Sequence, residues 1–357
     1  VIGDRWITDF NALEELLSHA GDAGLGERWA EVKQANKIRL AAMIRESLQL
    51  DVDVNSLFDC QIKRIHEYKR QFLNLLHVIT LYNQIRVQGQ KLDVPRTVIF
   101  AGKAAPGYRI AKVIVQLIHG VADVINHDPR VGDQLKVVFL PNYNVSLAET
   151  IIPAADLSEQ ISTAGTEASG TGNMKCMLNG ALTIGTLDGA NIEIREAVGD
   201  EHFFEFGKTV EEVRELNANG YDPWKVYQTD PELREAVDMI RSGFFSSGDE
   251  TVFQPLIDSL SEQRDRYLVF EDYADYVRCQ NEVSKTYVDQ NLWMKKSIIN
   301  TACAVRFSSD RTVQTYAREI WGLGECSNLN EENQQTAHLE SGSSSEERSR
   351  SSIRKTK

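Results

Sequence analysis

The sequence is poor in cysteine and lacks the paired spacings that build disulfide frameworks or zinc sites. Five cysteines and seven histidines occur among 357 residues. The cysteines are scattered, odd in number and without a CxxC pair, and the histidines show no metal-ligand spacing. This pattern excludes the disulfide-stapled and zinc-binding classes and favours a reducing compartment. We therefore expect a cytoplasmic protein, with a plastid as the alternative, because any transit peptide would precede Val1.

Long apolar runs and an excess of positive charge are also missing. No apolar stretch approaches the ~18 residues of a membrane span, and the formal net charge is −13. An acidic chain of this kind is not expected to bind nucleic acid or an anionic membrane. Basic residues that do cluster are therefore informative.

The apolar pattern predicts strands that alternate with helices. We expect helix across residues 10–50, and the predicted elements after it are the strand Ser56–Ile65, the helix Phe72–Ile85, the strand Thr97–Phe100, a helix from Ile110 to Ile125, the strand Leu135–Leu140, and the candidate strands Leu182–Leu187 and Phe203–Phe206. This alternation predicts an α/β fold with a Rossmann-like, doubly wound parallel sheet. From about Val210 onward the pattern is mainly helical, including Tyr273–Val288 and Leu292–Ile299.

The two ends of the chain differ from its body. Residues 324–357 become Ser-rich, charged and nearly free of apolar side chains, so we expect a disordered tail there after a domain that spans residues 1–323. The chain starts at Val1 rather than at a methionine. We therefore expect it to be a piece of a longer protein.

The most informative segment is rich in glycine and contains one lysine. Gly165, Gly170 and Gly172 surround a Thr-Gly step, and Lys175 follows within a small and apolar run. If a helix starts near Thr171, its first N–H groups favour an anion, and Lys175 lies about 6 Å along the axis. A cofactor with a phosphate and an aldehyde, such as pyridoxal phosphate, could bridge those points. The alternative is an ordinary Gly-rich turn with a surface lysine.

A second segment gathers basic residues where a predicted strand ends and a helix begins. It contains Lys63, Arg64, His66, Lys69 and Arg70 within eight residues. Guanidinium and ammonium groups bind phosphate oxygens, and ligands of open α/β sheets bind at the carboxyl ends of strands. The alternative is a solvated helix face, with Arg70 and the neighbouring Glu67 as an i,i+3 pair.

These segments resemble the α-glucan phosphorylases, the family of glycogen, starch and maltodextrin phosphorylase. The matching motifs, in the family's order and spacing, are Lys63–Gln71, Gly102–Tyr108, Ile151–Lys175, Thr186–Asn191 and Phe307–Thr312. The resemblance runs from about Val1 to Leu323. It implies the C-terminal, pyridoxal-phosphate-binding half of a two-domain GT-B glycosyltransferase, without the N-terminal domain.

The resemblance also implies roles for individual residues. The expected catalytic residues, which would bind the substrate phosphate, are Arg64 and Lys69. The expected cofactor-binding residues are Lys175 as the Schiff-base lysine, Lys63 at the cofactor phosphate, Gly170, Thr171 and Gly172 as the phosphate cradle, and Tyr143 beside the cofactor. The expected contacts to sugar hydroxyls are Glu167, Ser169 and Gly170.

The implied reaction is phosphorolysis of a terminal α-1,4-linked glucose to glucose 1-phosphate. In this family the cofactor phosphate exchanges a proton with the substrate phosphate. The implied partners are an α-1,4-glucan, inorganic phosphate, the N-terminal domain of the same enzyme and a second copy in a homodimer. Without that domain, we expect the chain to bind the cofactor weakly and to be inactive. Asn144 and Cys176 replace the Arg and Phe of many members, which leaves the subfamily open.

Three other functions remain open at this stage. An aminotransferase would use the same cofactor, although no Asp motif for the pyridinium nitrogen is recognisable. A nucleotide-sugar glycosyltransferase of the same architecture would need no Schiff-base lysine. A non-catalytic glucan-binding module would not depend on Arg64 or Lys69.

Overall fold

The computed structural model of the chain describes residues 1–262 and 264–323. The expected disordered tail, residues 324–357, therefore lies outside the described residues. The chain divides into two compact units, Val1–Val305 and a second unit that begins at Arg306. The expected domain boundary after residue 323 falls within the second unit.

The first unit is built on a six-stranded sheet with every pair of neighbouring strands parallel. Its strands are β1 (Leu57–Ile62), β2 (Arg96–Ala101), β3 (Leu135–Leu140), β4 (Leu157–Gln160), β5 (Leu182–Gly185) and β6 (Phe204–Glu205). The spatial order is β3-β2-β1-β4-β5-β6, which is the doubly wound Rossmann order. The predicted fold class is confirmed.

Helices connect and cover these strands. They are α1 (Ala23–Leu48), α2 (Gln71–Arg86), α3 (Arg109–His127), α4 (Val145–Ala154), α5 (Gly172–Leu178), α6 (Asn191–Val198), α7 (Val210–Asn219), α8 (Pro223–Thr229), α9 (Pro231–Arg241), α10 (Gln254–Glu262), α11 (Tyr273–Val288) and α12 (Gln290–Ala302). Short 3-10 segments are Arg5–Ile7, Phe10–His19, Glu67–Lys69, Asp200–His202 and Cys303–Phe307. The second unit contains α13 (Ser309–Thr315) and the π-helical turn Tyr316–Ile320.

Helix α3 shows how the pattern produces the packing. Its buried residues are Ala111, Val113, Ile114, Leu117, Ile118, Val121 and Ile125. These recur with the 3.6-residue helical period, so one face packs into the core while the other stays in water. In contrast, α2 is buried almost all round, because it packs against α3, α9 and α11.

The apolar pattern does not predict strand β4. Its sequence is LSEQ, yet every residue in it is buried. The Glu159 carboxylate accepts hydrogen bonds from Tyr276 Oη at 2.9 Å and from Gln280 Nε2 at 2.6 Å. Because α11 supplies these partners, a polar strand is stable in the centre of the sheet.

The strand order places the basic segment and the Gly-rich segment next to each other, at the carboxyl ends of two neighbouring strands. β1 pairs with both β2 and β4, and the connections after β1 and β4 turn to opposite sides. Such a switch point opens a crevice outside the carboxyl ends of the strands. The basic segment follows β1 and the Gly-rich segment follows β4, so both leave the sheet at this crevice. Among the residues described, no helix is long and apolar enough to cross a membrane.

Candidate functional site

The loops after β1 and β4 meet through oppositely charged side chains. The Lys69 ammonium forms an ion pair with the Glu167 carboxylate. Lys69 Nζ also lies 4.5 Å from the centre of the Tyr68 ring, and Tyr68 Oη lies 3.5 Å from Glu167 Oε1. The structure therefore brings together two residues to which the family resemblance gives roles in binding phosphate and sugar.

Lys63 lies at the end of β1, facing the end of β4. Its Nζ donates a hydrogen bond to Gln160 Oε1 at 2.8 Å. Loss of hydration, together with the nearby charge of Lys69, lowers the pKa of Lys63 to about 8, although the Glu167 carboxylate opposes the shift. An anion bound beside these lysines would stabilise their charged forms.

Arg64 points into solvent from the same loop. Its backbone carbonyl accepts a hydrogen bond from Gln71 Nε2 at 3.0 Å, which fixes the loop against the start of α2. Within the described part of the chain, no carboxylate pairs with its guanidinium. Arg64 therefore keeps its donors available, but it does not contact the Lys69–Glu167 pair.

The Gly-rich segment forms a turn that leads into α5. The helix begins at Gly172 with Thr171 as its N-cap, which confirms the predicted start. Gly170 has a φ of 90°, a conformation that side chains disfavour. Across residues 1–262 and 264–323, the backbone N–H groups from Gly170 to Asn173 find no acceptor. Backbone N–H groups without acceptors at a turn of this kind can bind the oxygens of a phosphate, and we refer to residues 170–173 as the cradle.

Lys175 and Tyr143 line one open cavity of about 590 Å³. Its lining residues are Tyr143, Asn144, Val145, Ala148, Glu149, Ile152, Pro153, Lys175 and Asn179. Burial raises the pKa of Tyr143, so its hydroxyl stays protonated. Cys176, beside the lysine, is buried and has a pKa raised by burial, as expected for a small apolar packing residue.

Ser169 is exposed at the tip of the Gly-rich segment. Its Oγ donates to the Gly170 carbonyl at 3.3 Å, and its own carbonyl accepts from Ala190 N at 2.9 Å. The loop is therefore held by its backbone, while the hydroxyl lies at the surface of the crevice.

Comparison with known proteins decides the family. The family model described as carbohydrate phosphorylase matches residues 1–323. The chain belongs to the carbohydrate phosphorylase family. Phosphorylases of this family have the GT-B architecture, and the sheet described above is one Rossmann-like half of it.

Several relatives are glycogen phosphorylases. The chain is 57% identical over 323 residues to the glycogen phosphorylase of Synechocystis sp.. It is 54% identical over 322 residues to the muscle forms from Homo sapiens and Ovis aries. Each match covers 90% of this chain but only 38% of the relative. The chain thus spans well under half of the length of these phosphorylases.

Asp188 organises the loop that carries Glu167, and sequence reasoning gave it no role. Its Oδ1 accepts from Gly165 N at 2.9 Å, and its Oδ2 accepts from Glu167 N at 2.8 Å and Ser162 Oγ at 2.7 Å. One buried carboxylate therefore shapes the loop that carries Glu167. The matching motif Thr186–Asn191, with the sequence TLDGAN, was the sequence signal that pointed to Asp188.

Gly189 lets the same turn approach the loop. A Cβ at this position would lie 2.6 Å from the Ser169 carbonyl oxygen and 2.9 Å from that of Glu167, and φ is 54°. Only glycine fits such a close approach without strain.

Asn191 links the strand ends to the cradle. Its Nδ2 donates to the carbonyls of Gln160 at 2.8 Å and Thr186 at 3.0 Å, while its Oδ1 accepts from Asn173 Nδ2 at 3.2 Å. This residue also lies in the TLDGAN motif and had no assigned role.

Arg70 is part of the core and does not belong to the anion site. Its guanidinium is fully buried and pairs with Asp272 at 2.5 Å, and its Nε donates to the Ile161 carbonyl at 2.6 Å. The suggested i,i+3 pair with Glu67 is wrong, because Glu67 instead accepts a hydrogen bond from the Tyr108 hydroxyl. In the described ranges, no group of His, Cys, Asp or Glu side chains could hold a metal ion.

Proposed function

We propose that this chain is the cofactor-binding part of an α-glucan phosphorylase that uses pyridoxal phosphate. The reaction transfers a terminal α-1,4-linked glucose from glycogen, starch or maltodextrin to inorganic phosphate. The observation that carries the proposal is the set of donors without partners on the loops after β1 and β4, namely the Arg64 guanidinium and the N–H groups of residues 170–173. Family membership over residues 1–323 supports it.

The residues present fit the cofactor. The cradle formed by Gly170, Thr171 and Gly172 would hold its phosphate together with Lys63, whose lowered pKa an anion would raise. Lys175 would hold its aldehyde carbon, and Tyr143 would form a wall beside it. When bound, the cofactor supplies a phosphate that titrates near pH ~6, which suits proton exchange with a second phosphate.

The substrate phosphate would lie between Arg64 and Lys69. The charge of both side chains would offset the repulsion between two phosphates and support the transition state. The ion pair of Lys69 with Glu167 implies an exchange of partners. A phosphate that binds Lys69 would free the Glu167 carboxylate to accept hydrogen bonds from sugar hydroxyls, next to Ser169 and Gly170.

The remaining part of the enzyme would complete the site. The chain covers only 38% of the length of the glycogen phosphorylases it matches. We therefore propose that an N-terminal domain closes the crevice and adds substrate contacts. We also propose a cytoplasmic homodimer, following the family. The chain alone would then bind the cofactor but not turn over.

A chimaera tests this function. Residues 1–323 would replace the matching segment of the Synechocystis sp. glycogen phosphorylase, and glucose 1-phosphate would be measured with glycogen and phosphate. We expect activity from the chimaera, none from the isolated chain and none from a chimaera with Lys175→Ala. A folded chimaera that produces no glucose 1-phosphate would contradict the proposal. Activity retained in the Lys175→Ala chimaera would favour a nucleotide-sugar glycosyltransferase.

A further inference from the structure

Lys33 is a buried lysine in the middle of α1 that binds backbone carbonyls. Its side chain is 6% exposed. Its Nζ donates to the carbonyl oxygens of Pro153 at 2.9 Å, Ala155 at 2.5 Å and Asn179 at 3.4 Å. In the described part of the chain, no carboxylate lies within ion-pair distance of this ammonium, so the carbonyls take the place of a counterion.

These acceptors lie at the carboxyl ends of two different helices. Pro153 is in the last turn of α4, and Asn179 caps α5. The last carbonyls of a helix have no N–H partner within it, and a cation there also interacts favourably with the helix dipole. Lys33 therefore joins the end of α4 to the end of α5 through one ammonium group.

Both helix ends form walls of the cavity that contains Lys175. Pro153 and Asn179 line this cavity, as do Tyr143 and Lys175. Asn179 also contacts the attachment lysine directly, because its Nδ2 and its backbone N both donate to the Lys175 carbonyl, at 2.9 Å and 3.2 Å. A continuous path of hydrogen bonds thus runs from Lys33 through Asn179 to the backbone of Lys175.

We propose that Lys33 is a positioning residue for the cofactor, which fixes the distance between the α4 wall and the α5 wall of the Lys175 cavity. This inference rests on the proposed function. Without the ammonium, the carbonyls of Pro153 and Asn179 would lose a shared donor, and the two walls would separate. The attached cofactor would then be held less tightly, although Lys33 does not itself line the cavity.

Lys37 offers a matched control one turn further along α1. It is 3% exposed, and its Nζ binds the Ser56 carbonyl at 2.7 Å, Asp156 Oδ2 at 2.7 Å and the Tyr287 hydroxyl at 3.2 Å. These partners are not among the lining residues of the Lys175 cavity. The two lysines are therefore alike in burial and helix position but differ in what they join.

The test compares Lys33→Met and Lys37→Met in the full chain loaded with pyridoxal phosphate. The measurements are the release rate of the cofactor into excess scavenger, its absorption spectrum when bound, and the thermal midpoint. We expect Lys33→Met to release the cofactor at least tenfold faster and to shift its absorption band. Lys37→Met should release it within twofold of the wild-type rate, although its midpoint falls further because Asp156 loses its counterion.

Four results would overturn the inference. Release of the cofactor from Lys33→Met at the wild-type rate would mean that Lys33 only stabilises the fold. The same increase in release rate in Lys33→Met and Lys37→Met would mean the same. If Lys33→Met does not fold, Lys33→Gln replaces it, because glutamine keeps hydrogen-bond donors on a shorter side chain. Lys33→Gln should release the cofactor at a rate between those of the wild type and Lys33→Met. Release from Lys33→Gln at the wild-type rate would overturn the inference. If the wild-type chain takes up no cofactor at Lys175, the proposed function fails as well, which distinguishes the two failures.

Discussion

Two charged regions of the sheet differ in how many of their hydrogen-bond donors and acceptors have partners. In the centre of the sheet, a buried polar network joins Arg96, Asp59, Glu159, Tyr276 and Gln280, with Arg96 Nη1 2.8 Å from Asp59 Oδ2. At the carboxyl edge, the crevice leaves backbone N–H groups and an arginine without partners in the described residues. The two regions are therefore alike in carrying charge but differ in whether their donors have partners.

The two regions also differ in how burial shifts the pKa of a charged side chain. Burial raises the pKa of Glu159 well above its usual value, and the neighbouring Asp59 raises it further. In the crevice, the pKa of Lys63 is lowered to about 8, close enough to neutrality for a bound anion to change its proton occupancy.

The largest expected effect comes from breaking the buried network. Arg96→Met removes the cation that faces the Asp59 carboxylate and should lower the free energy of unfolding by about 3–5 kcal/mol. The same substitution at exposed Arg64 should leave stability unchanged within about 0.5 kcal/mol. Urea denaturation of both variants measures the difference. If Arg96→Met lowered the free energy of unfolding by less than about 1 kcal/mol, the buried network would not differ from the crevice in its importance for stability.

A smaller effect is expected where the turn meets the Glu167 loop. Gly189→Ala places a methyl group against the carbonyls of Ser169 and Glu167 at a positive φ, and should cost about 2–3 kcal/mol. Gly26→Ala is the control, because it lies within α1 with nothing within 4 Å of the added Cβ. We expect Gly26→Ala to be neutral or slightly stabilising. Equal urea midpoints for both variants would contradict this account of Gly189.

Arg64→Met should weaken anion binding without affecting folding. Loss of a charged hydrogen bond is worth about 2 kcal/mol, so the dissociation constant for inorganic phosphate should rise about thirtyfold. Phosphorus NMR titration of the full chain measures it. Arg214→Met, at an exposed position on α7, should bind phosphate like the wild type. Equal phosphate binding by both variants would remove Arg64 from the site.

The smallest expected effect is the pH dependence that Lys63 gives to folding stability and to phosphate affinity. Its folded pKa of about 8 lies below the unfolded value of 10.5, so the unfolded state binds more protons between these values. Stability from this group therefore rises with pH in that window. Affinity for a phosphate should change in the opposite direction, falling by up to about tenfold per pH unit above 8, because only the protonated lysine attracts the anion.

Pyridoxine phosphate is a suitable probe because it lacks the aldehyde that reacts with Lys175. Lys63→Arg keeps its charge throughout this range, so its affinity for the probe should show much less dependence on pH. The same fall in affinity in the wild type and in Lys63→Arg would mean that another group titrates at the cradle.

The sequence predicts the strands whose residues are mostly apolar and the turns whose backbone is determined by neighbouring residues. β1, β2, β3 and α3 follow from their apolar patterns because burial there is hydrophobic. β4 does not, because Glu159 has its partner on α11 and Gln160 has its partner, Lys63, just after β1, both far away in sequence. Whether a polar segment is buried depends on tertiary partners, which a local pattern does not contain.

The same limit applies within the site. Arg64 and Arg70 stand in one motif, and only the fold separates them, because Arg70 meets Asp272 across 202 residues. Asp188 escaped notice for a similar reason, since it binds backbone N–H groups that carry no side-chain signature. The helix start near Thr171 was predictable because glycine and threonine determine the backbone there directly.

We propose that the donors without partners after β1 and β4 build a pyridoxal phosphate site around Lys175. The most direct test incubates the full chain with the cofactor, reduces it with borohydride and maps the adduct by peptide mass. We predict one reduced adduct at Lys175, absent from Lys175→Ala and present in a Lys112→Ala control at an exposed position of α3. Labelling spread over surface lysines, with none at Lys175 in a chain shown to be folded by circular dichroism, would contradict the account.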